Sequence, residues 1–223
     1  MNTKPTKEEL ISVEVSVKKD RAEKDEYFKS AESPLSDSLR AIFHGLEYFT
    51  FNPSYVFKTK LTLYDKPREL DMITSKGKVK HYVEYGFFEF DLDGTRRLNV
   101  YRPKPALEGH PKYLFIPFKD ATTGKESYPA GRYMELTLNE SSDVYILDFN
   151  SAYNPWCAYS NNFNCPYPPD ENTLKIPVNA GEKKFSLGIH HWSGKICLKQ
   201  IIFLVFNFKK VIYKKFYLSL VRV

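Results

Sequence analysis

From Tyr55 to Leu63 the chain alternates, with Tyr55, Phe57, Thr59, Leu61 and Leu63 on one side and Val56, Lys58, Lys60 and Thr62 on the other. A period of two is the signature of a half-buried strand. Asp65-Lys66-Pro67 predicts a turn, and a second run follows over Glu69–Ile73. After a Lys76-Gly77 turn, Val79–Asp91 predicts a long aromatic strand. Asp93-Gly94 then stands between FEFDL and TRRLNVY, predicting a tight hairpin, because both central residues of a primed turn take positive φ. The runs Tyr113–Phe118, Arg132–Leu138 and Val144–Phe149 bring the set to seven or eight strands. Short strands at this spacing predict a mainly β fold, an antiparallel barrel or sandwich.

The pattern ahead of the strands is helical. Glu8 to Lys29 places Leu10, Ile11, Val15, Tyr27 and Phe28 around a charged run, which predicts a solvent-facing helix with a narrow apolar stripe. It ends before Ser33-Pro34, since proline disfavours helix at the residue preceding it. Leu39–Leu46 predicts one more helical turn, closed by Gly45. The organisation that follows is an N-terminal helix (1–34) packed on a β-rich domain (35–182), with a tail (183–223) of different character.

Charge sets the tail apart. The 223-residue chain carries a formal +6, but residues 183–223 hold nine Lys/Arg and no Asp or Glu, so residues 1–182 carry −3. The domain is therefore mildly acidic, and its aromatics alternate as core strands do, which argues against nucleic-acid binding. With 42% hydrophobic residues, 17 Phe and 16 Tyr, there is ample material for a core. No apolar run reaches the roughly 18 residues of a membrane-spanning helix, and MNTKPTKEELISVEV lacks the apolar stretch of a secretory signal. The expected location is cytoplasmic. Of the 41 tail residues, 26 are Lys, Ile, Phe, Asn, Tyr or Leu, whose codons are rich in A and T. A frameshift or lost stop codon gives such a composition; the alternative is a basic amphipathic extension for membrane surfaces.

Motifs for known chemistry fail. TTGKES has Lys119 where a phosphate-binding loop needs its first Gly and Glu126 where it needs Ser or Thr. DLDG places Gly94 too early for a calcium loop. Cys157 and Cys165 lack the spacing of a zinc motif, and they read as buried thiols, with a redox pair or a metal site as alternatives; Cys197 leaves the count odd. His44, His81 and His110 are scattered. No metal and no cofactor is expected.

Two segments exceed what a plain β-domain needs: the polar loop between Phe118 and Arg132, and Asp148–Asn172 (DFNSAYNPWCAYSNNFNCPYPPDEN), which has neither period and is expected to cap one end of a barrel. PFKDATTGKESYPAGRY and LDFNSAYNPWCAYSNNFNCPYPPDEN closely resemble the bacterial and archaeal proteins grouped as domain of unknown function 1684, as do KDEYFKSAESPL, GLEYFTFNPSY and ITSKGKVKHYVEYGFFEFDLDG upstream. The resemblance covers about residues 18–182 and includes Asp120, Thr123, Gly124, Tyr128, Gly131, Arg132 and Tyr133. It continues through Asp148, Asn150, Tyr153, Asn154, Cys157, Tyr159, Cys165, Glu171 and Asn172. It implies no particular activity.

Three functions fit the residues. In the first, the domain binds a small molecule in a pocket under loops 118–132 and 148–172, with Thr123, Arg132, Asn150, Tyr153, Asn154 and Tyr159 as ligand-binding residues, Arg132 offering a bidentate donor to a carboxylate or phosphate. In the second, the same pocket is a metal-independent hydrolase site, with Asp120, Asp148 or Glu171 as general base and Tyr128 or Arg132 stabilising negative charge. In the third, the protein has a structural or interaction role. The sequence does not decide between enzyme and binding module, and it fixes no oligomeric state.

Overall fold

The computed structural model describes residues 3–186. Cys197 lies outside that range, as does the tail beyond residue 186, on which its two readings rest. Six strands form one antiparallel sheet: β1 (Val56–Ile73), β2 (Val79–Asp91), β3 (Thr95–Pro103), β4 (Tyr113–Phe118), β5 (Arg132–Thr137) and β6 (Val144–Asp148). Their order is β5-β4-β3-β2-β1-β6. The edge strands β5 and β6 each pair with one named strand, yet Met134 of β5 and Leu147 of β6 share a core cluster with Leu61, Phe88, Phe90, Leu98, Leu114 and Ile116. The sheet is thus curled into a half-barrel with this cluster on its inward face.

The expected count of seven to eight strands is corrected to six among the described residues. The difference lies at Asp65-Lys66-Pro67, which does not turn the chain. Leu63 pairs with Gly86 and Arg68 with Glu84, so Tyr64–Pro67 bulge opposite the single residue Tyr85 and the two expected strands are one. A bulge accommodates Pro67, whose missing N–H would interrupt a regular ladder. The Asp93-Gly94 hairpin forms as expected, with φ of +50° and +91° and Asp91 paired with Thr95.

Helix α1 spans Lys7–Lys29, begun by a capping box in which Thr6 and Glu9 exchange side-chain to backbone hydrogen bonds. It buries Val17 and Phe28, whereas Ile11 and Val15 stay exposed. Positions 17, 21, 24 and 28 follow a helical repeat, so Arg21 and Lys24 share the buried stripe. Phe28 packs with Leu35, Phe43, Leu46 and Tyr159; a short helix α2 (Asp37–Arg40) lies between.

The 148–172 segment divides between the two faces of the sheet: Phe149 and Ala152 join the inward cluster and close one end of the half-barrel, as expected of a cap. From Tyr153 on it lies instead across the outward face, where Tyr153, Cys157, Phe163 and Cys165 pack on Met72, Tyr82, Tyr101, Phe115 and Tyr133. Tyr133 and Tyr153 exchange backbone hydrogen bonds of 2.9 and 3.0 Å, which fastens the segment to the edge of β5, and Tyr167 N–H donates to Ile73 O at the last residue of β1. Between these anchors the chain folds back, bringing the Cα atoms of Cys157 and Cys165 to 6.2 Å, and the two form a disulfide. The expectation of free thiols at these positions is corrected accordingly. Packing also continues past residue 182: Lys183 N–H donates to Glu47 O and Lys184 N–H to Glu126 O, and Phe185 meets Tyr159 edge-on at 5.3 Å.

Candidate functional site

The loop after β4 is organised by one buried ion pair. Arg132 Nη2 lies 3.2 Å from Asp120 Oδ1, with both side chains at most 1% exposed. The Arg132 guanidinium also donates to the carbonyls of Val178, Ala180 and Glu182. Asp120 accepts from Thr122 N–H and Oγ1, Thr123 Oγ1 and Val178 N–H. Burial works against the Arg132 charge and Asp120 supports it. Asp120, Thr123 and Arg132 therefore engage one another and the 178–182 backbone, forming a clamp that ties the loop to the last segment of the domain. Gly131 makes room for it: at φ +92°, a Cβ there would stand 2.6 Å from Phe118 O and 2.7 Å from Pro168 Cγ. Tyr128, half-buried, sits in this loop with its phenol pKa raised by burial and by nearby Tyr167.

The other two expected carboxylates lie elsewhere. Asp148 caps the turn Phe149–Ser151, accepting from Asn150 N–H and Nδ2 at 2.8 Å each. Burial raises its carboxyl, countered by these bonds. Asn150 in turn brackets the backbone of Asn52. Glu171 is exposed and meets Arg68 at 3.3 Å; that same Arg68 holds Glu84, which accepts from Asn99. Asp120, Asp148 and Glu171 thus belong to three separate networks.

Four of the expected ligand-binding residues do converge, at a place no motif marked. Arg21 and Lys24 of α1, with Tyr48, Asn150, Tyr153 and Glu182, line a cavity of about 90 Å³. Its floor is Glu182, 1% exposed, which accepts from Lys24 Nζ (2.7 Å), Asn154 N–H (3.2 Å), Asn154 Nδ2 (3.1 Å) and Tyr159 Oη. Burial raises the Glu182 carboxyl, opposed by Lys24 and Asn154. The Lys24 ammonium lies 5.2 Å above the Tyr153 ring and 5.6 Å above that of Tyr159. Arg21 stacks 4.4 Å over Tyr48 and donates to Phe49 O and Asn150 O. It makes no ion pair among the described residues, and burial lowers its pKa. Tyr48 is raised by burial and stays a neutral phenol.

Arg21 Nε and Tyr48 Oη in this wall, and Asn154 Oδ1 behind it, are buried polar atoms without a hydrogen-bond partner. Buried polar groups are otherwise satisfied in folded proteins, and exceptions call for an explanation. Shifted titratable groups around a cavity are also a mark of functional sites. Asn150 and Tyr153 line the cavity, while Asn154 and Tyr159 hold its floor; Arg21, Lys24, Tyr48 and Glu182 were not expected. The helical spacing of Val17, Arg21, Lys24 and Phe28 is the signal that could have placed the first two. Nothing local marks Tyr48 or Glu182. Among the described residues no group of three His, Cys, Asp or Glu is arranged to hold a metal ion, and no helix is long and apolar enough to cross a membrane.

The architecture is that of a mainly β half-barrel with an N-terminal helix. The chain belongs to the family described as protein of unknown function (DUF1684), whose model matches residues 41–183. It is similar to the solution NMR structure of an uncharacterized protein of Haloarcula marismortui, with 38% sequence identity, a TM-score of 0.63, and coverage of 83% of this chain and 100% of that one. No curated protein matches the chain.

Proposed function

We propose that this domain binds a small molecule carrying a carboxylate or other oxyanion group, in the cavity between α1 and residues 150–153. One observation carries the reading: Arg21 lines that cavity without an ion-pair partner among the described residues, and its Nε and the Tyr48 hydroxyl have no acceptor. Each such group costs about 1–3 kcal/mol. Both atoms are covered by their neighbours, so a seated acceptor relieves that cost once the wall side chains turn toward it. Lys24 is already matched by Glu182, and Asp20 also lines the wall, so the charge offered to the ligand is that of Arg21. A cavity of about 90 Å³ suits a compact ligand or a few waters, not a cofactor.

Thermal unfolding in the presence of acetate, formate, sulfate and inorganic phosphate tests the reading. A ligand that binds only the folded state stabilises by about 2.7 kcal/mol at a hundred times its Kd. At least one of these anions should raise the wild-type Tm in a saturable way and leave Arg21→Gln unmoved. Equal shifts in both proteins would assign the effect to general ion stabilisation and overturn the proposal.

A further inference from the structure

Both ends of the half-barrel carry a recess, and the two differ in chemistry. At one end Phe57, Phe90, Phe118 and Phe149 pack with centroids 5.0–5.9 Å apart, and the recess of about 700 Å³ beside Phe57 and Phe90 is lined by the charged Lys4, Lys58, Asp91 and Asp93. At the other, the 138–143 connection between β5 and β6 arches over a recess of about 590 Å³. Its floor is Leu61 and Tyr145, both in the inward core, with Tyr85 and Leu138 packed against that core. Leu63 forms one lip at 52% exposure. The opening is a consequence of the long bulge in β1: Tyr85 is the β2 residue left opposite Tyr64–Pro67, and a bulge at a barrel rim bends its strand away from regular pairing.

The chemistry of the rim is neutral. Glu140 and Asp143 line it, but each is paired, with Lys112 (2.7 Å) and Lys60 (2.6 Å) respectively. Asn139 Oδ1 and Ser142 Oγ accept from the loop's own backbone. Tyr145 Oη accepts from Asn139 N–H and keeps its own hydrogen to donate. The recess therefore offers apolar surface continuous with the core, hydroxyl groups at the lip, and no unmatched cation for an anionic head.

We infer that this mouth is a second ligand site, which takes a neutral amphiphile: an aliphatic or aromatic body laid on Leu61, Leu63, Tyr85 and Leu138, with an uncharged hydroxyl or amide head at Tyr145 and Ser142. Its volume falls in the range of ordinary small-molecule sites, about 300–1,000 Å³, and it shares no lining residue with the charged cavity.

The test uses the full chain and the neutral fluorophore N-phenyl-1-naphthylamine, with 1-decanol and decanoate as competitors. The probe should bind saturably and be displaced by decanol far better than by decanoate. Leu63→Arg, at an exposed position that tolerates charge in the fold, should weaken probe binding about tenfold or more by setting a charge on the apolar lip. Val79→Arg, at a comparably exposed residue (48%) away from the recess, should leave it unchanged. Absence of saturable binding, equal loss in both variants, no loss in Leu63→Arg, or equal displacement by decanoate would each overturn the proposal.

Discussion

Replacing Arg132 by Met keeps the bulk of a fully buried side chain but removes its charge and all its donors. Asp120 would then be a buried carboxylate without its cation, and the carbonyls of Val178, Ala180 and Glu182 would lose a shared donor. Breaking a buried ion pair from one side costs about 3–5 kcal/mol, mostly because the remaining charge stays buried. Four hydrogen bonds survive at Asp120, from Thr122 N–H and Oγ1, Thr123 Oγ1 and Val178 N–H, so the lower part of that range applies, about 3–4 kcal/mol. For a domain of this size 1 kcal/mol moves Tm by about 2–4 °C, and the expected fall is about 6–16 °C. Urea unfolding followed by tryptophan fluorescence measures it directly. The double variant Asp120→Asn/Arg132→Met should be less destabilised than the sum of its single variants, since removing the carboxylate charge removes what Arg132→Met leaves uncompensated. A loss under about 1 kcal/mol in Arg132→Met, or strict additivity in the double variant, would refute the assignment of this pair as a structural clamp.

Gly131→Ala should destabilise by about 2 kcal/mol or more, measured by the same unfolding assay, because its φ of +92° and a Cβ 2.6 Å from Phe118 O combine backbone strain with a clash. Reduction of Cys157–Cys165, eight residues apart, should cost about 2.5 kcal/mol by loop entropy, seen as a lower Tm in dithiothreitol that Cys157→Ser reproduces. The Glu182 carboxyl is raised in the folded state, so over the pH interval between its unfolded and folded pKa the native protein holds a proton that the unfolded chain has released. The stability this contributes is present in full below the ordinary carboxylate pKa and is lost as pH rises through the folded value. Glu182→Gln should flatten that decline in a series of Tm measurements against pH; Asp148, raised in the same direction, keeps part of it.

Most strands are legible in the sequence because a period of two is a local signal, and the Asp93-Gly94 hairpin because positive φ at adjacent residues needs those residue types. The bulge at Tyr64–Pro67 is not legible: Asp-Lys-Pro serves a turn and a bulge equally well, and only pairing with β2 decides. The same limit governs the site. Asp120 and Arg132 flank an overlong polar loop and are visible for that reason, but whether a buried arginine clamps or binds depends on the carbonyls of Val178–Glu182, some 46–50 positions away. The charged run in α1 reads as solvated because its buried stripe is part apolar and part cationic. Arg21 and Lys24 acquire their role when the helix docks against Tyr48, Tyr153 and Glu182.

The proposed oxyanion site beside α1 depends on Arg21. Two-dimensional ¹H–¹⁵N spectra that include the arginine Nε–H resonances, recorded while acetate or inorganic phosphate is titrated into the ¹⁵N-labelled full chain, test it most directly. The Arg21 Nε–H signal should shift saturably together with the amides of Ser151–Tyr153, while Arg132 Nε–H stays in place. Small, linear shifts spread over the surface, with Arg21 unmoved at saturating salt, would contradict it.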